Sequence, residues 1–471
     1  MQILTERSPA SGRSPAAAAT STLPEVIAAL SCAFDISEGQ PAGHAARTCL
    51  IGMRIAHEIG LSPQECRGLF YGSLLKDAGS SSNAAQVCAL FGADDHCVKF
   101  SARFEDLSKK YNAVRYLMKT VAGDRSPLSR AARLLALAGN PGAGRELIQT
   151  RCSRGAEMAL RLGLGERAAA VIRAVDEHWD GSGEPLGLSG QQIPLGARIA
   201  CLAQTIEAYF SRYGHFAAIC VAEDRAGKWF DPDLVRAFVA VGSDLSFWRS
   251  VETADQSLTL RDFAPAEECM PADEDLLDQL AVECAAVIDA KSPWTAGHSV
   301  GVADTMEAIL TNLGYSPQQV RHWRRAALLH DIGQLGVSNL ILDKAGPLTN
   351  AEFASLQFHV EYTRRILRQI PCFRDIADVA AAHHEKLDGS GYVLGLTRSE
   401  LSTEARALAV ADIFDALAGS RPYRQRPLGL DEVLDIMSKD AGSRICPVAW
   451  EALRQHVETL EFGCYRETAA S

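Results

Sequence analysis

Five of the chain's twelve histidines, His298, His330, His359, His383 and His384, crowd into one stretch of its C-terminal half, joined by Asp331 and Asp412. Neutral imidazole is a good ligand for iron, manganese or zinc, and a carboxylate can bridge two cations. Adjacent His330 and Asp331 offer one terminal ligand and one bridge. On a helix His383 and His384 would project about 100° apart, which suits neighbouring metals rather than a single one. Two cations roughly 3.5–4 Å apart neutralise a phosphate oxygen and activate water for in-line attack, so this set points to phosphodiester hydrolysis without a nucleophilic side chain. Any one helical histidine reads as core or surface, and Asp412 alone reads as a partner for Arg406. Seven such groups in apolar surroundings do not, because buried unpaired imidazoles and carboxylates are costly and a metal removes that cost.

Positioning these groups takes several helices packed side by side. Apolar residues recur at helical spacing from Leu23 onward, strand alternation is scarce, and the expected fold is all-α. Residues 1–22, rich in Ser, Pro and Ala, read as a disordered tail, and the acidic, proline-bearing stretch 251–274 as a linker. Between and after them lie two helical domains, 23–250 and 275–465. They are diverged copies. The segment from His44 matches that from His298 at an offset of 254, aligning Gly60 with Gly314 and Ser62-Pro63 with Ser316-Pro317. Each Ser-Pro reads as a helix start, closed by Glu65 or Gln319 as a capping box. LLKDAG at 74–79 matches LLHDIG at 328–333, and DGSGEPLGL from Asp180 matches DGSGYVLGL from Asp388 at an offset of 208. The first copy therefore holds about 46 extra residues between the two blocks.

The bulk numbers fit this picture. A chain of 471 residues with 47% apolar and 22% charged residues can bury the cores of two or three domains. A formal net charge of −11 argues against salt-driven binding to a nucleic-acid polymer but leaves room for a small phosphate ligand held locally. Thirteen cysteines without a CxxC pair read as thiols in a reducing compartment. With no signal-like h-region and no stretch near the roughly 20 apolar residues of a membrane span, the expected location is the cytoplasm and no membrane contact is expected. A homodimer is compatible with the sequence.

Taken in order, GHS, HDIGQ, His359, HHEKLDGSGY, VADIFDAL and SRPYR resemble the HD-GYP branch of the HD phosphohydrolase superfamily over about 275–465. The resemblance implies an α-helical fold and a centre of two or three metals, iron or manganese most often. It implies hydrolysis of a cyclic dinucleotide, cyclic di-GMP above all. It makes His298, His330, Asp331, His359, His383, His384 and Asp412 the metal ligands, with Asp331 bridging and His330-Asp331 at the catalytic heart. Trp294 stands where some members carry a glutamate for a third metal, which favours two. Gly391 and Tyr392 resemble the nucleotide-contacting Gly-Tyr, and Arg421 and Arg424 the basic positions that hold phosphate.

Two positions depart from the pattern. Gln334 replaces a lysine expected to meet substrate phosphate; an amide still donates a hydrogen bond, at a loss of ~1–2 kcal/mol. Val393 replaces the proline of the triplet. In the first copy only His44 and Asp77 persist: Lys76 stands for the histidine, Arg151 for His359, Val175 and Asp176 for the His pair, and Gln204 for Asp412. His178 is expected to pack beside Trp179. This copy reads as degenerate, with structural, dimerising or ligand-sensing roles. Alternatives to a cyclic-dinucleotide phosphodiesterase are a non-catalytic nucleotide-binding signalling module and an HD-type phosphohydrolase with another substrate.

Overall fold

The computed structural model describes residues 21–107, 109–121, 126–140, 142–253, 260–265, 272–420, 424 and 426–459. Among these residues there are helices, short 3-10 turns and isolated bridges, with no longer strand. The all-α expectation holds. The expected tail lies outside the described residues up to residue 20, while Thr22 and Glu25 close a capping box on the first helix, Leu23–Ser37. Of the stretch expected as a linker, 254–259 and 266–271 lie outside the described residues, and Leu260 is buried.

The two copies fold alike, for reasons visible in their side chains. Ser62 and Ser316 cap the helices Pro63–Leu75 and Pro317–Leu329 through the expected boxes with Glu65 and Gln319. Gly43 and Gly297, at φ 83° and 76°, turn the chain into helices His44–Glu58 and His298–Asn312, a conformation that favours glycine. Buried Asp35 and Asp289 hold those helix starts by accepting from the Ala45 and Ser299 amides. Two later helices also correspond, Ala143–Arg161 with Asn350–Gln369 and Leu195–Tyr213 with Thr403–Ala418. Behind each glycine-rich loop one carboxylate gathers three amides: Glu177 accepts from Leu186, Gly187 and Leu188, and Glu385 from Leu394, Gly395 and Leu396.

The extra residues of the first copy form their own helices, Ala84–Phe91, Asp95–Ala102, Lys110–Thr120 and Pro127–Gly139, over a small core of Val87, Phe91, Val98, Tyr116 and Val121. A single larger apolar core runs through both copies, from Val26 to Val457. Polar contacts reinforce it. Ser81 Oγ donates to the Val287 carbonyl at 2.6 Å, and Arg161 meets Glu283 at 2.7 Å. Fully buried Asp95 takes the ammonium of Lys291 at 3.4 Å and accepts from the Asn339 amide at 3.1 Å.

Backbone meets backbone at one matching place in each copy. A Cβ added to Gly79 would run into the Arg151 carbonyl oxygen, and one added to Gly333 into that of His359. Neither backbone can yield without moving a helix. We expect Gly333→Ala to destabilise the protein by roughly 1–3 kcal/mol, with Gly79→Ala similar, as a lowered thermal midpoint. An unchanged midpoint for both would show that these helices are free to separate.

Candidate metal centre

The pocket of the second copy is assembled from five places in the chain. His298 opens the helix His298–Asn312. His330 and Asp331 follow Pro317–Leu329, where the chain tightens into the 3-10 turn Ile332–Gly336. Thr363 fixes that step, its hydroxyl donating to the His330 carbonyl at 2.9 Å and accepting from the Gly333 amide at 3.0 Å. His359 lies within Asn350–Gln369 and Asp412 within Thr403–Ala418. The His383-His384 pair lies in turns after the short helix Ala377–Ala380 rather than on a helix, so its divergence comes from turn geometry.

All seven expected ligands converge. Six are buried and His384 is half-buried. Asp331 Oδ1 lies 3.3 Å from His359 Nε2 and 3.6 Å from His383 Nε2, and Asp331 Oδ2 lies 3.4 Å from His330 Nε2. Asp412 Oδ1 is 3.3 Å from His298 Nε2 and 3.8 Å from His330 Nε2, while its Oδ2 is 3.4 Å from His384 Nδ1. Asp331 thus turns one oxygen to each side, as a bridging carboxylate would.

The donor set suits cations. His330, His359 and His383 each place Nδ1 2.6–2.7 Å from a backbone carbonyl, of Ala327, Leu356 and Ala380. A carbonyl only accepts, so each Nδ1 donates and each Nε2 is the nitrogen turned inward; burial opposes a proton on His330, but Asp331 beside it raises that group. His359 Nε2 and His383 Nε2 then face each other at 3.2 Å as two acceptors, and His330 Nε2 and Asp331 Oδ1 are buried without a hydrogen-bond partner. Lone pairs gathered this way are the environment a divalent metal satisfies. Three overlapping groups fall within ligating reach: His298, His330 and Asp412; His330, Asp331 and His383; and His359, His383 and His384.

Charge follows the same logic. Burial disfavours a proton on His298, yet hydrogen bonds to Asp412 and Asp415 outweigh it and push the group up to about 10. Burial, with His384 and His330 beside it, drives His383 far down, and burial lowers His384 to about 4. Burial opposes ionisation of Asp331, but His330, His359 and His383 together hold it well below the usual carboxylate range.

The remaining expected residues sit as follows. Gln334 Nε2 donates to Asp331 Oδ2 at 2.6 Å, so it holds the Asp331 carboxylate. Tyr392 lies 4.8 Å from His384 and edge-on to Phe353 at 5.9 Å. Gly391 passes against the backbone of His384 and Glu385, where a Cβ would collide. Arg424 donates to the Ala416 and Leu417 carbonyls at a helix end, and Arg421 lies outside the described residues. Arg406 donates to the Arg398 carbonyl, and Asp412 faces the imidazoles instead. Sequence reasoning missed Asp415, whose Oδ2 takes His298 Nδ1 at 2.6 Å; its position one turn after Asp412 was the available signal.

In the first copy, basic side chains stand at or beside the corresponding ligand positions. Arg103, from the extra helical segment, places Nη1 2.8 Å from His44 Nε2 and Nη2 3.2 Å from Asp77 Oδ1. A guanidinium thus stands between the two retained ligand positions. Lys76 pairs with Asp77, and Arg151 with Asp176. His178 stacks on Trp229, with ring centroids 4.1 Å apart and planes 14° apart, rather than beside Trp179 as expected. Behind this cluster His44 and Arg47 both meet buried Glu207.

The family model for the HD domain matches residues 142–234 and 283–447, together more than half of the chain. The chain belongs to the HD domain family. Among HD-domain relatives, the 3′3′-cGAMP-specific phosphodiesterase 3 of Vibrio cholerae is 39% identical over 94% of this chain and 96% of its own. A cyclic di-GMP phosphodiesterase of Pseudomonas aeruginosa is 39% identical over 28% of this chain and 32% of its own. A crystal structure of a cyclic GMP-AMP-specific phosphodiesterase from V. cholerae superposes with a TM-score of 0.64 at 35% identity, covering 93% of this chain and 98% of that one.

Two outcomes test these assignments. Asp331→Ala should lose its metal by elemental analysis while keeping its helical circular dichroism, and Asp415→Asn should weaken metal affinity by about 10–100-fold through His298. Full metal content in Asp331→Ala would remove the bridge. For Glu207, burial opposes ionisation, but His44 and Arg47 lower it from 4.5 to about 2. A depressed carboxylate contributes stability above its unfolded value and loses it as pH falls through the folded one. The wild-type thermal midpoint should therefore drop more steeply than that of Glu207→Gln between pH 4.5 and 2.

Proposed function

We propose that this chain is a metal-dependent phosphodiesterase that opens a cyclic dinucleotide, 3′3′-cGAMP ahead of cyclic di-GMP. The observation that carries the reading is the ring of inward-facing imidazole Nε2 atoms around Asp331 and Asp412. Preference for 3′3′-cGAMP rests on the V. cholerae relative specific for it, which parallels nearly the whole chain, first copy included, whereas the P. aeruginosa cyclic di-GMP relative matches 28% of the chain. Two divalent cations, iron or manganese, would be held by His298, His330, Asp331, His359, His383, His384 and Asp412.

Cations held there would supply Lewis acidity toward the phosphoryl group and the attacking water. The chain's residues do the rest. Backbone carbonyls hold the Nδ1 atoms of His330, His359 and His383, so their Nε2 atoms are the ones turned inward. Asp415 orients His298, and Gln334 steadies Asp331. Tyr392 and half-exposed Phe353 offer ring faces at the mouth for a nucleobase. The product is a linear dinucleotide. We assign residues 275–465 as the catalytic unit, and 23–250 as its degenerate partner.

Purified protein incubated with each cyclic dinucleotide, followed by chromatography of the products, tests the reading. We expect linear product from 3′3′-cGAMP faster than from cyclic di-GMP, and none with Asp331→Ala. Cleavage of neither by metal-replete protein would refute it. Gln334→Lys should lower KM by about tenfold, the ~1–2 kcal/mol of a charge-assisted phosphate bond. An unchanged KM would leave Gln334 a support of Asp331 alone.

A further inference from the structure

The first copy holds a half-open cavity of about 590 Å3, within the range of small-molecule sites. It overlies the place where the second copy gathers its metal ligands. Arg151, Asp176, Gln204 and Gly183 line it, and at the offset of 208 these are His359, His384, Asp412 and Gly391. Losing the metals therefore did not close the pocket.

Its two ends differ. One end is charged, lined by Lys99, Arg103, Arg151 and Glu38. Around that end the cations Lys76, Lys99, Arg103 and Arg151 meet three carboxylates, Glu38, Asp77 and Asp176. A fourth acid nearby, Asp35, is pushed up by burial, and burial also lowers Lys76 and Lys99. Three cations, Lys99, Arg103 and Arg151, line this end, and exposed Arg145 adds another at the rim, opposite Glu184. The other end is apolar, with Val87, Leu90, Phe91 and Leu137, and the stacked His178–Trp229 pair also lines the cavity.

We propose that this cavity binds an amphipathic anion, a phosphate or carboxylate joined to an aromatic or aliphatic body, and passes its occupancy to the metal centre. The anionic group meets the guanidinium end and the body lies along the apolar wall. The route to the metal centre is one short helix, Asp95–Ala102. Val98, Lys99 and Ala102 on it line the cavity. Asp95 and His96 at its start grip the second copy: Asp95 accepts from the Asn339 amide, and His96 Nε2 lies 3.0 Å from the carbonyl of Leu335, four residues after Asp331. A shift of this helix moves the turn that follows His330-Asp331. Binding is independent of the proposed hydrolysis; the effect on turnover rests on it.

The probe is 8-anilinonaphthalene-1-sulfonate, an anion with an aromatic body, titrated into the full-length metal-replete protein. We expect one saturable, blue-shifted site. A Cβ at Gly144, which lines the cavity, meets nothing within 4 Å, so Gly144→Trp adds bulk without a clash and should weaken binding by about tenfold or more. Arg145→Glu should weaken it roughly twofold to fivefold, as for one exposed charge. Displacement of the dye by GMP marks a nucleotide source for the anion, and displacement by decanoate an acyl one; displacement by neither overturns the assigned class. Unchanged binding in Gly144→Trp places the dye elsewhere and overturns the site. Binding lost in Gly144→Trp but untouched in Arg145→Glu overturns the anion preference. Saturating dye should change hydrolysis of bis(p-nitrophenyl) phosphate by about twofold or more in the wild type and not in His96→Ala. A wild-type rate indifferent to dye overturns the coupling, whereas a protein without turnover indicts the hydrolase reading and leaves the dye titration to decide the cavity.

Discussion

Each copy of this protein buries a carboxylate at the end of the same helix, Asp77 after Pro63–Leu75 and Asp331 after Pro317–Leu329, and a buried carboxylate must face positive charge. The copies meet that demand differently. Around Asp77 the charge is covalent: Lys76 beside it, and Arg103 and Arg151 from other helices. Around Asp331 the chain provides imidazoles whose proton-bearing nitrogens are tied to backbone carbonyls and whose remaining nitrogens point inward. The first arrangement needs no metal; the second calls for cations. One frame thus yields a closed charge cluster in one half and a candidate catalytic centre in the other.

Much of this was legible in the sequence because it is local or repetitive. Ser62-Pro63 and Ser316-Pro317 announced helix starts, and the two offsets announced the duplication and the length of the extra segment. The seven ligands could be found because their identity, rather than their contacts, carries the signal. Long-range groups were invisible. Nothing near Arg103 in the sequence says that its guanidinium settles between His44 and Asp77, and nothing marks Thr363 as the clasp of the His330 turn. His178 was expected beside its neighbour Trp179, yet its ring stacks on Trp229, from a distant segment. Gln334 was read through the substrate it was expected to meet, and in the structure its amide meets Asp331 first.

The two halves do not meet as independent bodies at a thin contact. A shared apolar core joins them, and the Asp95–Lys291 pair is buried within the join. Cutting the chain between copies would expose both an apolar surface and an unpaired charge. The turn after His330-Asp331 is therefore supported from two sides, by Thr363 of its own copy and by the helix Asp95–Ala102 of the other.

The close passage of Gly79 along Arg151, and of Gly333 along His359, has an evolutionary meaning. Main chain against main chain sets the spacing between those helices, so the side chains projecting beyond the contact are passengers on a rigid chassis. Histidine can give way to arginine at such a position without the scaffold readjusting. A duplicated gene could then surrender its metal chemistry in one half by point substitutions alone, keeping the architecture and freeing the vacated chamber for new use.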